Sequence, residues 1–362
     1  MKIAENYSRL GTENAFVILA KAKKLESEGK EIINLGIGQP DFLTPKHIVE
    51  AAKKALDEGH HGYTPANGTI ELREGVSRHI KKMYGADIEA DRVFIAPGGK
   101  PSIFFAIMLF GQPGVEIIYP EPGFPIYESV INYSGAKAVP MYLSEDKNFS
   151  FNADEVLNLI NEKTRLLIIN NPQNPTGGLI EKSEIDKLVR GLKKFPNVAI
   201  FSDEIYSRQI YDGKSMPSFF YYPELFNRLI VMDGWSKTYA MTGWRLGWSV
   251  WPKNLIENVT KMAINSYSCV SAANQVAALA ALEGPNEFVN VMMKKFDKRR
   301  RLIVDGLNSL AGIKCNKPGG AFYAFPNISE TGMNGETFAE KCLFDAGVAI
   351  VPGTSFGQSC TK

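Results

Sequence analysis

Between about Arg92 and Val250 the chain alternates short β-rich runs with segments of helical periodicity, and this rhythm restricts the fold more than any other feature. Strands are expected at Val93–Ala96, Glu116–Tyr119, Ala138–Met141, Leu166–Asn170, Val198–Ser202, Leu229–Met232 and Leu246–Val250. Between them, Ser102–Phe110, Pro125–Tyr133, Asp154–Ile160 and Ser183–Lys193 carry apolar residues at three- and four-residue steps. Strand–helix–strand crossovers of this kind build an α/β fold around a mostly parallel central sheet, buried by helices on both faces.

At 362 residues and 44% hydrophobic, the chain is long enough for that sheet and a smaller α+β lobe. The pattern changes after Gly284-Pro285 to a long charged helix reaching about Leu310, then strands and one more helix, Glu336 to Ala346. An amphipathic helix, Ala15–Glu28, opens the chain and is expected to pack on that second lobe. The expected division is 1–45 as an N-terminal arm belonging partly to the small lobe, 46–285 as the large lobe, and 286–362 as the small lobe.

Charge excludes some partners. The 41 Lys+Arg and 39 Asp+Glu nearly cancel, leaving +2, so no overall field attracts nucleic acid or an acidic membrane. The basic cluster Lys294, Lys295, Lys298, Arg299, Arg300 and Arg301 reads as a solvated helix face. Cys269, Cys315, Cys342 and Cys360 lie far apart without a C-x-x-C pair, which supports neither a metal site nor a disulfide framework and fits a reducing cytoplasm. Glu5 and Arg9 interrupt the place of a secretory signal, and the longest apolar run, Ile103 to Phe110, is too short to span a bilayer. A small-molecule partner is what remains.

Two glycine-rich segments are not nucleotide motifs. Gly36 and Gly38 precede Gln39-Pro40-Asp41 without the third glycine of a dinucleotide fingerprint. Gly98-Gly99-Lys100-Pro101-Ser102 lacks the earlier glycine of a triphosphate loop and has Pro101 where Ser or Thr is needed. It is either an ordinary strand-to-helix turn or a helix start whose amides face an anion.

Lys237 stands just past an expected strand in Asp233-Gly234-Trp235-Ser236-Lys237-Thr238-Tyr239-Ala240-Met241-Thr242-Gly243-Trp244-Arg245-Leu246-Gly247. Bulky apolar neighbours and the nearby Arg245 both disfavour its ammonium form, which turns a lysine into a nucleophilic amine near neutral pH.

The run S-K-x-x-A-M-T-G-W-R-x-G resembles the cofactor-lysine motif of class I/II aminotransferases, in the fold-type I pyridoxal phosphate (PLP) superfamily. Asn171-Pro172-Gln173-Asn174-Pro175-Thr176-Gly177, Ser202-Asp203-Glu204-Ile205-Tyr206, and Tyr63-Thr64-Pro65 with Gly68 and Leu72-Arg73 are similar to further blocks of that family. Pro318-Gly319-Gly320-Ala321-Phe322-Tyr323 and Val351-Pro352-Gly353-Thr354-Ser355-Phe356-Gly357 continue the likeness, in order, from Gly36 to Gly357.

The resemblance implies a role for each matching position. Lys237 would hold PLP as an imine and then move the proton from the substrate's Cα. Asp203 would keep the pyridine nitrogen protonated, while Tyr206 and Asn174 would hydrogen-bond the phenolic oxygen. Arg245 with Gly99, Lys100 and Pro101 would grip the phosphate, Pro101 shaping the turn without an amide of its own. Phe124 would stack on the ring, unless it is a plain core residue. Tyr63 would reach the cofactor of a partner subunit in a homodimer with shared active sites, and Gly38 would contact the substrate's carboxylate.

Two departures bear on these expectations. Gly234 stands where many relatives place a phosphate-binding serine, which Ser236 or a water would have to replace. The arginine that clamps the α-carboxylate in the family follows V-P-G-x-x-F-G, and this sequence stops at Lys362 before one appears. The expectation is a shortened chain that binds PLP and transaminates poorly. Transfer of an amino group between an L-amino acid, aspartate or glutamate, and a 2-oxo acid is the expected reaction. A β-lyase or ring-closing synthase would use the same cofactor residues, and a PLP-binding sensor without turnover is the non-enzymatic alternative.

Overall fold

A computed structural model describes residues 1–362. The chain opens with helix α1 (Asn14–Ser27) and strand β1 (Ile33–Asn34), then α2 (Lys46–Asp57) and α3 (Ile70–Tyr84). The alternating part runs β2 (Val93–Ala96), α4 (Lys100–Phe110), β3 (Glu116–Glu121), α5 (Ile126–Ser134), β4 (Lys137–Tyr142), α6 (Ala153–Leu159), β5 (Thr164–Asn170) and α7 (Lys182–Leu192). It continues through β6 (Ala199–Asp203), β7 (Leu229–Gly234), the short helix α8 (Trp235–Thr238) and β8 (Gly247–Val250). Helices α9 (Ile256–Ser266), α10 (Ala272–Glu283), α11 (Glu287–Asn308) and α12 (Gly335–Ala346) follow, and β9 (Val348–Ala349) closes the series.

Seven strands form one sheet in the order β2-β8-β7-β6-β5-β3-β4. All its pairings are parallel except those of β8, which runs antiparallel to β2 and β7. Alternate residues feed opposite cores: Leu167, Ile169 and Ile200 pack on one side, Leu166, Ile168 and Phe201 on the other. Two buried faces explain why these strands read as continuous apolar runs rather than alternating ones. All seven expected strands exist, most one or two residues longer or shorter than the pattern indicates.

Helix ends follow local chemistry. Thr69 accepts from the Leu72 amide at the start of α3, and Gly85 ends it in the left-handed conformation. Asn334 caps α12 by accepting from the Thr337 amide at 2.8 Å.

Two expectations need correction. The segment after α11 does not form a run of strands: apart from β9 it contributes only the isolated bridges Ile210↔Gly320 and Lys314↔Asn327. Its prolines and glycines, Pro318-Gly319-Gly320, let the backbone trace loops over the large sheet instead. The basic cluster on α11 is also not uniformly solvated. Arg300 is 5% exposed, bonded to Asp212, Asp297 and the Pro318 carbonyl, with its guanidinium 4.1 Å from the centre of the Tyr211 ring. Three acceptors and an aromatic face replace the water that an arginine loses on burial.

The N-terminal arm joins the chain's far end. β1 pairs in parallel with β9, Ile33 opposite Val348, and Ala22 and Leu25 of α1 pack with Leu343 and Ala349. No helix is long and apolar enough to cross a membrane.

Candidate active site

The parallel strands β5, β6 and β7 end side by side, with Asn170 opposite Asp203 and Asp203 opposite Met232. Crevices beyond the carboxyl ends of such strands are where α/β sheets hold ligands, because loops diverge there and leave space. A cavity of about 510 Å³ opens at this point. Gly38, Gly99, Lys100, Phe124, Asn174, Asp203, Tyr206, Lys237 and Arg245 all line it.

Asp203 is the last residue of β6 and is 3% exposed. Its Oδ2 accepts from Tyr127 Oη at 2.6 Å and its Oδ1 from the Ile205 amide at 3.2 Å. Burial pushes its carboxyl up to about 6, against the opposing pull of the Tyr127 hydroxyl, the Ile205 amide and the Lys237 charge. No cation touches it directly, so the carboxylate is matched to a positive group arriving from the cavity.

Lys237 lies on α8, the single turn that follows β7. Burial brings its amine down to about 8, helped by the charges of Arg245 and Lys100 and opposed by those of Asp203 and Glu13. The amine donates to the Gly38 carbonyl, and Gln209 Nε2 holds the Lys237 carbonyl at 3.0 Å. A lysine so placed is a free amine at a pH where surface lysines are charged.

Arg245 lines the same cavity. Its Nη1 donates to the Thr242 carbonyl at 2.7 Å and its Nη2 to the Pro97 carbonyl at 3.2 Å, which fixes the guanidinium while leaving it exposed. Gly98 makes this approach possible: its φ is 92°, and a Cβ there would stand 2.1 Å from Arg245 Nη2. Gly99 and Lys100, at the start of α4, line the same region together with Ser236 and Thr242. Ser236 thus lies in the cavity wall, whereas Gly234, two residues earlier, does not.

Two expected residues lie outside the lining. Pro101 is within the first turn of α4 and presents no amide to the space. Tyr63 is 94% exposed and does not line its own chain's cavity.

The structure also adds residues. Tyr323 Oη lies 2.5 Å from Tyr206 Oη, and burial pushes both phenols up, so both are neutral. A Cβ on Gly38 would meet Tyr323 Oη at 2.7 Å, so the glycine lets the N-terminal loop close over this pair. Tyr323 lies inside a motif quoted above, and Tyr127 lies one helical turn beyond Phe124. Glu13 and Phe16, from the start of α1, had no signal at all.

Comparison with known proteins decides the family. Residues 30–361 match the family "Aminotransferase class I and II". The chain belongs to the class I and II aminotransferases. An aspartate aminotransferase of Pyrococcus horikoshii is 41% identical over 351 residues, covering 94% of this chain and 89% of that one. The crystal structure of the Rhizobium meliloti aspartate aminotransferase superposes with a TM-score of 0.93 at 33% identity, covering 99% of this aminotransferase and 92% of its relative. The Thermus thermophilus aspartate aminotransferase with maleate gives 0.92 at 30% identity, covering 98% and 92%.

Aminotransferases of this family use pyridoxal 5'-phosphate, and the donor set fits it. A buried carboxylate without a cation suits a protonated ring nitrogen, a lysine amine held down by burial suits an aldehyde, and a fixed guanidinium suits a phosphate. The substrates of this aminotransferase are an amino acid and a 2-oxo acid.

Proposed function

We propose that the enzyme takes the amino group of aspartate or glutamate and passes it to a 2-oxo acid in a ping-pong cycle through Lys237. The supporting observation is one amine, brought down to about 8 by burial, in a cavity that it shares with the buried carboxylate of Asp203 and the guanidinium of Arg245. Bound PLP supplies an aldehyde carbon that captures the donor's nitrogen and a ring that takes up the electron pair left at Cα.

The chain's residues do the rest. Asp203, itself oriented by Tyr127, would hold a proton on the cofactor's ring nitrogen. Tyr206 and Asn174 would hydrogen-bond the cofactor's phenolic oxygen, and Phe124 would pack on its ring. Arg245, with the Gly99 turn and the Ser236 and Thr242 hydroxyls, binds the phosphate. The free Lys237 amine would take the proton from Cα and place it on the cofactor carbon that had been the aldehyde, and would run the same transfer in reverse for the 2-oxo acid. The Gly38 backbone contacts the substrate's carboxylate.

Lys100 is assigned to the donor's side chain rather than to the phosphate. Its ammonium is bonded to Glu13 and lies 5.7 Å and 5.4 Å from the ring centres of Phe16 and Phe124, on the wall formed by α1. A cation there suits a distal carboxylate, and the Thermus relative was seen with maleate, a dicarboxylate.

We also assign residues 46–285 to a large cofactor-holding lobe and 1–45 with 286–362 to a small one, which the β1–β9 pairing supports. Exposed Tyr63 belongs to the partner's cavity in a homodimer, and the cytoplasm is the compartment that suits four unpaired cysteines.

The test is direct. L-Aspartate should shift the visible absorption of the PLP-loaded protein and 2-oxoglutarate should restore it, with borohydride fixing the cofactor on Lys237. Release of a thiol, pyruvate and ammonia from an L-cysteine thioether, with no amino transfer from aspartate, would assign the chain to the lyases instead.

A further inference from the structure

The charged groups lining the cavity are Glu13, Lys100, Asp203, Lys237 and Arg245. The function proposed above uses Asp203, Lys237 and Arg245 on the cofactor. That leaves Lys100 and Glu13, which are bonded to each other.

Glu13 occupies the N-cap of α1, where a side chain ordinarily accepts from the first free amides of its helix. It makes no such bond. Its carboxylate is turned instead across the cavity to Lys100, whose side chain is 43% exposed against 21% for Glu13. The carboxylate also acts at a distance on Lys237, whose amine it holds up while Lys100 pushes it down. Glu13 therefore stands in the reaction space as the resting counter-ion of Lys100.

We propose that Glu13 sets the donor preference of this enzyme by occupying, as part of the protein, the place on Lys100 that a donor's distal carboxylate would take. The inference rests on the reading of Lys100 as the cation facing the donor's side chain. A dicarboxylic donor must displace Glu13 or share Lys100 with it, and two carboxylates on one ammonium repel. A donor with a neutral side chain makes no such demand and can lie against Phe16 and Phe124. The pair thus narrows the advantage that Lys100 alone would give to aspartate and glutamate.

The experiment compares the PLP-loaded wild type with Glu13→Gln, using L-aspartate and L-alanine as donors. Removing the charge should raise the ratio of kcat/KM for aspartate over alanine by about tenfold, carried by KM, as loss of a competing charge-assisted contact implies. Adding Lys100→Met to Glu13→Gln should abolish that gain. An unchanged ratio overturns the proposal, and so does an equal fall of KM for both donors, which would place Lys100 on the α-carboxylate they share.

Binding of maleate, followed by calorimetry on the same loaded proteins, needs no turnover. It should tighten by a similar factor in Glu13→Gln, whereas butyrate should not. If no donor is transaminated by the wild type but maleate still tightens, the assigned reaction fails and the role of Glu13 stands. If transamination proceeds and maleate affinity is unmoved, the reverse holds. Because Glu13 makes no capping bond, Glu13→Ala serves as a second variant with the same expected direction.

Discussion

Tyr127 Oη donates to Asp203 Oδ2 at 2.6 Å, so the carboxylate proposed to meet the cofactor's ring nitrogen is itself held by a completely buried phenol. The two residues come from α5 and the end of β6, far apart in sequence, and the sheet brings them together.

Replacing Tyr127 by phenylalanine keeps the ring and removes the bond. Asp203 loses the largest of the contacts that hold its carboxyl down, so its proton affinity rises and its grip on a cationic ring nitrogen weakens. PLP should bind about tenfold more weakly, the scale of one lost hydrogen bond to a charged group, as measured by equilibrium dialysis.

Lys237 gives a pH dependence of known sign. Its amine is protonated below about 8 and free above it, and only the free form attacks an aldehyde. The rate at which unloaded protein captures PLP should climb by about tenfold per pH unit below that value and level off above it. Stopped-flow absorbance across pH 6 to 9.5 reads this directly. A rate still climbing steeply above pH 9 would mean the amine is not held down.

Tyr323→Phe tests the phenol pair. With Tyr206 donating to the cofactor, its own oxygen accepts from Tyr323, and that second bond strengthens the first. Without it the anionic phenolic oxygen of the cofactor is held less firmly. The pH midpoint of the bound cofactor's visible absorption should rise by roughly half a unit, equivalent to under 1 kcal/mol.

Arg300→Leu addresses the lobe packing. It takes from Asp212 and Asp297 the arginine they share, leaving them Lys317 and Arg301 as their remaining cations, and it opens a space over Tyr211. Arg300 is buried, but the two carboxylates are partly exposed and can regain water, so the loss should cost about 1–2 kcal/mol. Urea unfolding should show a lower midpoint with an unchanged slope.

The central sheet was legible because strands buried on both faces leave an apolar signature that side-chain chemistry cannot hide. Lys237, Asp203, Asn174 and Arg245 were legible through their motifs, and the structure gathers them around one cavity. Glu13 could not be found that way: a glutamate before an amphipathic helix looks like any surface acid, and only the folding of the arm over the sheet sets it against Lys100. Arg300 misled for the same reason. Its neighbours Arg299 and Arg301 are exposed, and burial depends on which face of α11 meets Tyr211. The strands expected after α11 failed because prolines and glycines there serve close loop contacts, a use that periodicity does not register.

The arm's docking has a bearing on how this protein is made. Ile33 has its strand partner in Val348, so about 300 further residues must leave the ribosome before the first helix finds its mate. Until then Ala22 and Leu25 have no apolar cover from Leu343 and Ala349. Biogenesis therefore runs with an early segment kept waiting, and nascent chains halted before the final strand should be the ones most readily taken up by chaperones.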